Sequence, residues 1–147
     1  MGDPAVDAIL SALRLADHPG HSAAAFHVLN SPLGRVIGLK SIHVADCAPV
    51  GEAIRRSLMT EGYAPVLTRW ARAIAPSCDA GSGERLTQLI DLADRFEPEA
   101  TLRTRDFVEY VESVTVQTPA STPVRVMTVH RAKGQEFDIV VLPKLGK

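Results

Sequence analysis

The sequence predicts a mainly α fold, in which a helical domain is followed by a short β-containing fragment of an α/β domain. Apolar residues recur at helical spacing through most of residues 3–113, which is typical of amphipathic helices. Two later runs, residues 124–129 and 137–142, are apolar and rich in β-branched residues, which favours strands, the second of the buried parallel kind. Residues 114–123 are rich in Thr, Ser and Pro and are predicted to be the linker between the two parts.

The first helix is predicted from Asp3, because Asp is a good N-cap and Pro4 suits the first helical position. It should end at the turn-forming residues 18–20. We expect Ser22 to cap a second short helix that ends near Pro32, and residues 31–34 to form a turn. Residues 36–45 fit a short strand or an extended loop.

Two helices joined by a short junction are predicted over residues 50–61 and 63–75. Gly62 stands at the junction, where a left-handed helix cap favours glycine. The apolar residues that should mark the buried faces are Ile54, Leu58 and Met59 in the first helix, and Val66, Leu67, Trp70 and Ile74 in the second.

Residues 77–83 are small and turn-forming and are predicted to be a loop, with Ser82 as the cap of the next helix. A further helix is predicted over residues 104–113. The apolar residues at helical spacing in these two helices are Leu86, Leu89, Ile90, Ala93 and Phe96, and then Phe107, Val108, Tyr110 and Val111.

Composition limits the function classes. The hydrophobic fraction of 46% and the charged fraction of 22% are those of an ordered globular protein. There is no apolar run long enough for a membrane span and no signal peptide, so we expect a cytoplasmic location and no membrane partner. Residues 1–123 carry 11 basic and 15 acidic side chains, whereas residues 124–147 carry 5 and 2, so contact with phosphates is expected in the later segment.

Residues 128–142 carry the chemistry, with the sequence Thr-Val-His-Arg-Ala-Lys-Gly-Gln-Glu-Phe-Asp-Ile-Val-Val-Leu. A strand, a tight polar turn and a second strand would gather polar side chains at the end of a sheet, where ligands usually bind. Lys133 and Gly134 suit a phosphate, because the glycine allows close approach of the backbone and the lysine supplies charge. The carboxylate of Glu136 suits a sugar hydroxyl. A solvated turn is the alternative interpretation of the same residues.

This segment resembles motif V of the UvrD, Rep, RecB and AddA helicases, which are superfamily-one DNA helicases, written T-[IVL]-H-x-[AS]-K-G-L-E-F-x-x-V. Gln135 stands where the family has Leu, and this departure affects only a packing contact. A looser similarity of residues 10–34, which contain Ser31-Pro32-Leu33, and of the junction 61–63 favours the RecB and AddA kind. The resemblance implies that residues 1–117 are a helical 2B-like subdomain and residues 118–147 the start of the RecA-like 2A domain.

The resemblance also implies roles for single residues. Thr128 and His130 would contact single-stranded DNA, Lys133 and Gly134 would lie in the nucleotide cleft, and Glu136 would accept a ribose hydroxyl of ATP. The full-length protein would then use ATP and Mg²⁺ in DNA repair or recombination. Its partners would be single-stranded DNA, the remaining helicase domains, and duplex DNA or a nuclease subunit at the helical region.

The chain itself is not expected to hydrolyse ATP, and no catalytic residue is assigned. It has no Gly-x-x-x-x-Gly-Lys-[Ser/Thr] loop and no apolar strand ending in paired acids to hold Mg²⁺. A helical protein-interaction module without helicase activity is the alternative function. Sequence beyond residue 147 and a phosphate loop far upstream in the gene would distinguish the two.

Other residue groups are expected to be structural. Cys47 and Cys78 lack metal-site spacing and are predicted to be reduced thiols. His18 and His21 have no third ligand nearby, so a turn is favoured over a metal site. For the arginines at positions 55, 56, 69 and 72, a solvated face paired with Glu52 and Glu61 is favoured over contact with DNA phosphates.

Overall fold

The computed structural model describes residues 2–79, 81–117, 139 and 141. Over these residues the chain is mainly helical, as predicted, and contains no strand. The seven α-helices are α1 (Pro4–Asp17), α2 (Ser22–Leu29), α3 (Pro32–Val36), α4 (Val44–Glu61), α5 (Tyr63–Ile74), α6 (Ser82–Phe96) and α7 (Thr104–Gln117), with 3₁₀ turns at Ala75–Ser77 and Glu97–Glu99.

The predicted strand at residues 124–129 lies outside the described residues. Of the second predicted strand, only Ile139 and Val141 are described, and both are exposed and outside regular secondary structure. The β-containing part therefore stays a prediction.

Helix α1 is the centre of the helical body and contacts α2, α4, α5, α6 and α7. It begins as predicted, since the Asp3 carboxylate accepts hydrogen bonds from the amides of Ala5 and Val6 at 2.9 and 3.2 Å. Apolar residues on every side of the helix are buried, including Ile9, Leu13 and Leu15. A helix that is apolar all round belongs inside a bundle, and α2, α4, α5, α6 and α7 pack around α1.

In the segment after α1, the structure differs from two predictions. The cap of α2 is His21, whose Nδ1 accepts from the Ala24 amide at 3.1 Å, and not Ser22, which is the first residue of the helix. The predicted turn at residues 31–34 is instead the start of α3, with Pro32 at its first position. Gly34 makes this helix possible, because a Cβ there would lie 2.5 Å from the Val28 carbonyl oxygen.

Helix α4 begins six residues before the predicted start and includes Pro49. Residues 37–43 form a loop and not a strand. Ile54 and Leu58 are buried as predicted, but Met59 is 69% exposed and does not belong to the core. The helix crosses α1 at Gly51, where a Cβ would lie 3.3 Å from the Ala16 Cα.

The junction between α4 and α5 is the one predicted from Gly62, which has a φ of +89°. The first amide of α5, that of Tyr63, donates to the Glu97 carboxylate at 2.7 Å. A carboxylate at a helix N-terminus satisfies a free amide and interacts favourably with the helix dipole. Since Glu97 belongs to the turn after α6, this cap also joins two parts of the bundle.

The two last helices differ from the prediction at their ends. Ser82 does not cap α6; it is the first residue of the helix, and its hydroxyl donates to Asp3 Oδ2 at 2.8 Å. Helix α7 continues to Gln117, so the predicted linker at residues 114–123 is wrong for its first four residues. No described helix combines the length and apolarity that crossing a membrane requires.

Candidate functional site

The predicted ligand-contacting residues are Thr128, His130, Lys133, Gly134 and Glu136, and all five lie outside the described residues. The structure does describe the helix that precedes that segment in the sequence. Helix α7 ends at Gln117, directly before the predicted 2A-like segment.

Polar contacts hold α7 on α1 at two positions. The buried Thr104 hydroxyl at the start of α7 donates to the Leu13 carbonyl oxygen at 2.7 Å. Nearer the end of α7, Glu112 forms an ion pair with Arg14. Since a buried hydroxyl without a partner costs about 1–3 kcal/mol, the first contact strongly favours this orientation of α7.

An aromatic cluster fixes the same helix from the other side. Phe107 is fully buried, with its ring centroid 5.0 Å from that of Tyr63 and 5.3 Å from that of Phe96. The rings of Phe96 and Tyr110 are also in contact, with centroids 5.4 Å apart. Aromatic pairs at such distances stabilise packing beyond the area they bury, so α5, α6 and α7 form a rigid unit.

An open groove of about 510 Å³ lies beside this cluster. Its lining includes Arg55, Met59, Tyr63, Glu97 and Leu102. Burial, with the nearby carboxylates of Glu97 and others, raises the pKa of Tyr63 to about 12, so the phenol stays neutral.

The charged groups of the groove already have structural partners. The Arg55 guanidinium donates to the Ala16 carbonyl at the end of α1, and the Glu97 carboxylate accepts from the Tyr63 amide. Each charge therefore already makes a structural contact. This arrangement supports packing and not catalysis.

The predicted pairing of surface arginines with Glu52 and Glu61 is confirmed for two arginines. Arg56 pairs with Glu52 at 2.8 Å, and Arg69 pairs with Glu61 through both guanidinium nitrogens. The hydrogen bond from Arg69 lowers the pKa of Glu61 below its usual value. Arg72 is exposed and has no ion pair among the described residues.

Two of the four histidines in the described part make side-chain contacts that serve the fold. His21 caps α2, and His27 Nδ1 is hydrogen-bonded to Ser11 Oγ at 2.8 Å. Residues 2–79 and 81–117 contain no group of three or more His, Cys, Asp or Glu that could hold a metal ion. Burial raises the pKa of the Cys47 and Cys78 thiols, which disfavours the reactive thiolate.

Residues 18–45 differ from the rest of the helical part in charge, a feature that helical periodicity does not reveal. No Asp or Glu occurs between Asp17 and Asp46, although residues 1–123 contain 15 acidic side chains. This stretch forms α2, α3, the loops around them and the first two residues of α4. The gap in acidic residues is visible in the sequence, but only the structure shows which of its side chains are exposed.

Comparison with known families gives one finding. The UvrD-like helicase C-terminal domain matches residues 55–147, from the middle of α4 through α7 and the predicted motif segment. Residues 18–45 lie before the matched residues. Comparison with curated proteins and with solved structures gives no match.

Proposed function

The chain belongs to the UvrD-like helicase C-terminal domain family, and from this premise we propose that it is part of an ATP-dependent DNA helicase, or helicase-nuclease, of DNA repair and recombination. DNA and the other helicase domains are its partners on this basis. The observation that carries the proposal is the family match over residues 55–147. The matched residues include the three helices α5–α7 and also the segment that resembles motif V. The looser similarity of residues 10–34 supports the RecB and AddA kind.

We further propose that residues 1–117 are the regulatory 2B-like region and residues 118–147 the first part of the RecA-like 2A domain. In the described part of the chain one buried core joins α1–α7, with members from Ala5 to Val111, which supports a helical unit over these residues. A chain ending at Gln117 should therefore melt at nearly the temperature of the intact chain. It should also self-associate less in light scattering, because it lacks the apolar runs of residues 124–142. Unfolding of the shortened chain, or unchanged association, would place the boundary elsewhere.

Within the later segment, the proposed nucleotide contacts are Lys133 and Gly134 to phosphate and Glu136 to the ribose hydroxyl, with Mg²⁺ bound alongside ATP. Thr128 and His130 are the proposed contacts to single-stranded DNA. One short loop would then join the two ligands, so that closure around ATP moves the strand. The match to the motif at all polar positions supports these roles.

The decisive experiment uses single substitutions in the full-length helicase. Glu136→Ala should weaken nucleotide binding by about tenfold, and His130→Ala should weaken single-stranded DNA binding by about tenfold, since each removes one hydrogen-bonded contact. Gln135→Leu is the matched control in the same turn, because it restores the family residue, and it should change neither affinity. Equal effects of Glu136→Ala and His130→Ala on both ligands would refute the division of roles.

The isolated chain should show no ATPase activity, because it lacks the Gly-x-x-x-x-Gly-Lys-[Ser/Thr] loop and the paired acids that hold Mg²⁺ in phosphoryl transfer. DNA-stimulated ATP turnover by the purified 147-residue chain, retained after a second purification, would contradict this. As a control, the wild-type chain and the Lys133→Ala variant should show the same background rate of ATP hydrolysis.

At the helical region, we propose a partner subunit or domain, such as a nuclease subunit, in preference to duplex DNA. Residues 1–123 carry a net charge of −4, which disfavours a large sequence-independent DNA footprint. Three of the arginines that could have met phosphates, at positions 55, 56 and 69, instead hold a carbonyl or a carboxylate of the bundle. Duplex DNA binding by the chain ending at Gln117 would decide between the two.

A further inference from the structure

The Tyr63 hydroxyl is a polar group for which the bundle provides no hydrogen bond. Tyr63 is 3% exposed, and its ring lies against those of Phe96 and Phe107, with centroids 5.5 and 5.0 Å away. Its backbone amide donates to Glu97, but its hydroxyl has no hydrogen bond among the described residues. A buried tyrosine usually uses its hydroxyl in a hydrogen bond, so this hydroxyl is left for a partner outside the bundle.

The hydroxyl is accessible from the groove beside the aromatic cluster. In the part of the chain that the structure describes, every fully buried polar side-chain atom has a hydrogen-bond partner. Since the Tyr63 hydroxyl has none, it must reach solvent, and Tyr63 lines the groove of about 510 Å³. A ligand in this groove can therefore contact the hydroxyl.

The same groove carries exposed apolar side chains. Met59 on α4 and Leu102 in the loop before α7 are 69% and 71% exposed. Both line the groove together with Tyr63, so the three side chains surround one space. Apolar walls around a polar group that can fix orientation are typical of a binding site.

The fold holds the groove in place. In the loop that carries Leu102, the Thr101 hydroxyl donates to Asp106 Oδ2 at 2.5 Å and accepts from the Arg103 amide at 3.0 Å. The next residue, Thr104, is buried and bonded to α1. The groove does not have to become ordered on binding, which lowers the entropic cost of a complex.

The charges that act on the Tyr63 hydroxyl are negative. Burial raises the pKa of Tyr63 to about 12, and three nearby carboxylates add to this effect. They belong to Glu97, Asp106 and Asp17. The groove lining contains one cation, Arg55, whose guanidinium already donates to a carbonyl at the end of α1. A positively charged ligand is therefore favoured over a negatively charged one.

Other charged residues in the stretch that joins α6 to α7 do not change this balance. Arg105 is ion-paired with Glu109. Arg103 and Glu99 are both exposed, and their opposite charges offset each other. The excess of carboxylates near Tyr63 therefore remains.

We propose that this groove binds a basic side chain, arginine or lysine, from a protein segment that also carries a large apolar residue. The apolar parts of the segment pack on Met59 and Leu102, since the stem of a basic side chain is itself apolar. The charged head donates to the Tyr63 hydroxyl and to carboxylate oxygens outside the capping bond, such as Glu97 Oε1. This inference rests on the proposed protein partner of the helical region and names the chemistry which that partner needs.

DNA does not fit this groove. Its binding depends on Lys and Arg side chains that neutralise phosphates, and the single arginine of the lining is already bonded within the bundle. The carboxylates near Tyr63 repel phosphate. A basic and apolar protein segment accounts for the negative charge, the unbonded hydroxyl and the exposed apolar walls together.

The test begins with selection of peptides from a random display library on the purified 147-residue chain. Enriched peptides should contain arginine or lysine together with a large apolar residue. Tyr63→Phe removes only the hydroxyl and should weaken their binding by roughly tenfold, because one charge-assisted hydrogen bond is lost. Replacement of the basic residue of the peptide by methionine should also weaken binding. The two changes together should cost less than the product of their separate effects, since both remove the same contact.

The matched control is Tyr110→Phe, which removes the other tyrosine hydroxyl of the same aromatic cluster and should keep full binding. For the apolar walls, Met59→Ser should weaken binding, whereas Val44→Ser, an exposed apolar residue outside the groove lining, should not. Circular dichroism should show that Tyr63→Phe melts at the temperature of the wild type, because the hydroxyl has no hydrogen bond in the described part of the bundle.

Three results would overturn the inference. The first is enrichment of acidic or uncharged peptides, and the second is equal binding losses in Tyr63→Phe and Tyr110→Phe. The third is a marked loss of melting temperature in Tyr63→Phe, which would assign the hydroxyl to the fold. Basic peptides whose binding is unaffected by Tyr63→Phe would refute this groove but leave the proposed protein partner standing. Binding of a random-sequence DNA duplex that Tyr63→Phe abolishes would refute both.

Discussion

Replacement of Gly34 by Ala tests the packing of the bundle against local helix propensity. Inside a helix, alanine is ordinarily more stable than glycine by about 0.5–1 kcal/mol. Gly34 lies in the middle of α3, so propensity alone predicts that Gly34→Ala stabilises the protein. The structure predicts the opposite, because the new Cβ would lie 2.5 Å from the Val28 carbonyl oxygen and 3.1 Å from the Leu29 Cα.

The size of the stability loss in Gly34→Ala depends on which atoms must move to make room for the new Cβ. Both nearest groups belong to the backbone of α2, so no side-chain rotation relieves the overlap, and α2 and α3 have to separate. Overpacking of this kind costs about 1–3 kcal/mol. After the gain in propensity, Gly34→Ala should destabilise the fold by roughly 1–2 kcal/mol, or lower the melting temperature by about 4–8 °C.

Two other helical glycines provide a graded control. At Gly51, the nearest atoms to a Cβ are backbone atoms of α1 at 3.3 Å, so Gly51→Ala should change stability by less than about 0.5 kcal/mol. At Gly83, in the first turn of α6, nothing lies within 4 Å, and Gly83→Ala should stabilise by about 0.5 kcal/mol. Urea unfolding followed by circular dichroism measures all three. If Gly34→Ala is as stable as the wild type while Gly83→Ala gains stability, the predicted overlap between a Cβ at residue 34 and the backbone of α2 is refuted.

Three further predictions concern single side chains. Glu97→Gln should lower the free energy of unfolding in urea by about 1 kcal/mol, because it removes the charged cap of α5. Glu99→Gln, in the same 3₁₀ turn, is the control and should have little effect. Equal losses of stability in the two variants would refute the role of Glu97 as a cap. Thr104→Val should cost about 1 kcal/mol by removing the donor to the Leu13 carbonyl, and an unchanged urea midpoint would show that the hydroxyl contributes nothing. The pKa of Tyr63, about 12, lies above its ordinary value of 10.0, so its contribution to stability is complete below pH 10 and is lost as pH rises through 12. Phenolate absorbance should show a late titration near pH 12 that Tyr63→Phe removes, and its persistence in that variant would assign it to another group.

Short-range signals in the sequence determined much of the helical body. Asp3 and Pro4 predicted the start of α1, and Gly62 predicted the junction of α4 and α5, because each acts within a few residues of its own position. The contiguous pattern of residues 128–142 indicated the helicase family, and the family match over residues 55–147, which includes that pattern, confirms it. Signals of this kind need no knowledge of the fold.

Tertiary structure alone decided the features that join distant residues. Glu97 caps α5 across 34 positions, Ser82 bonds Asp3 across 79, and Thr104 bonds Leu13 across 91. Local patterns placed Met59 in the core and residues 31–34 in a turn, and both predictions failed, because burial and close helix contact depend on which neighbours the bundle brings near. The same reason applies to residues 18–45. Their lack of acidic side chains is visible in the sequence, but the exposure of their side chains is set by how α2 packs on α1 and how α3 packs on α2 and α5.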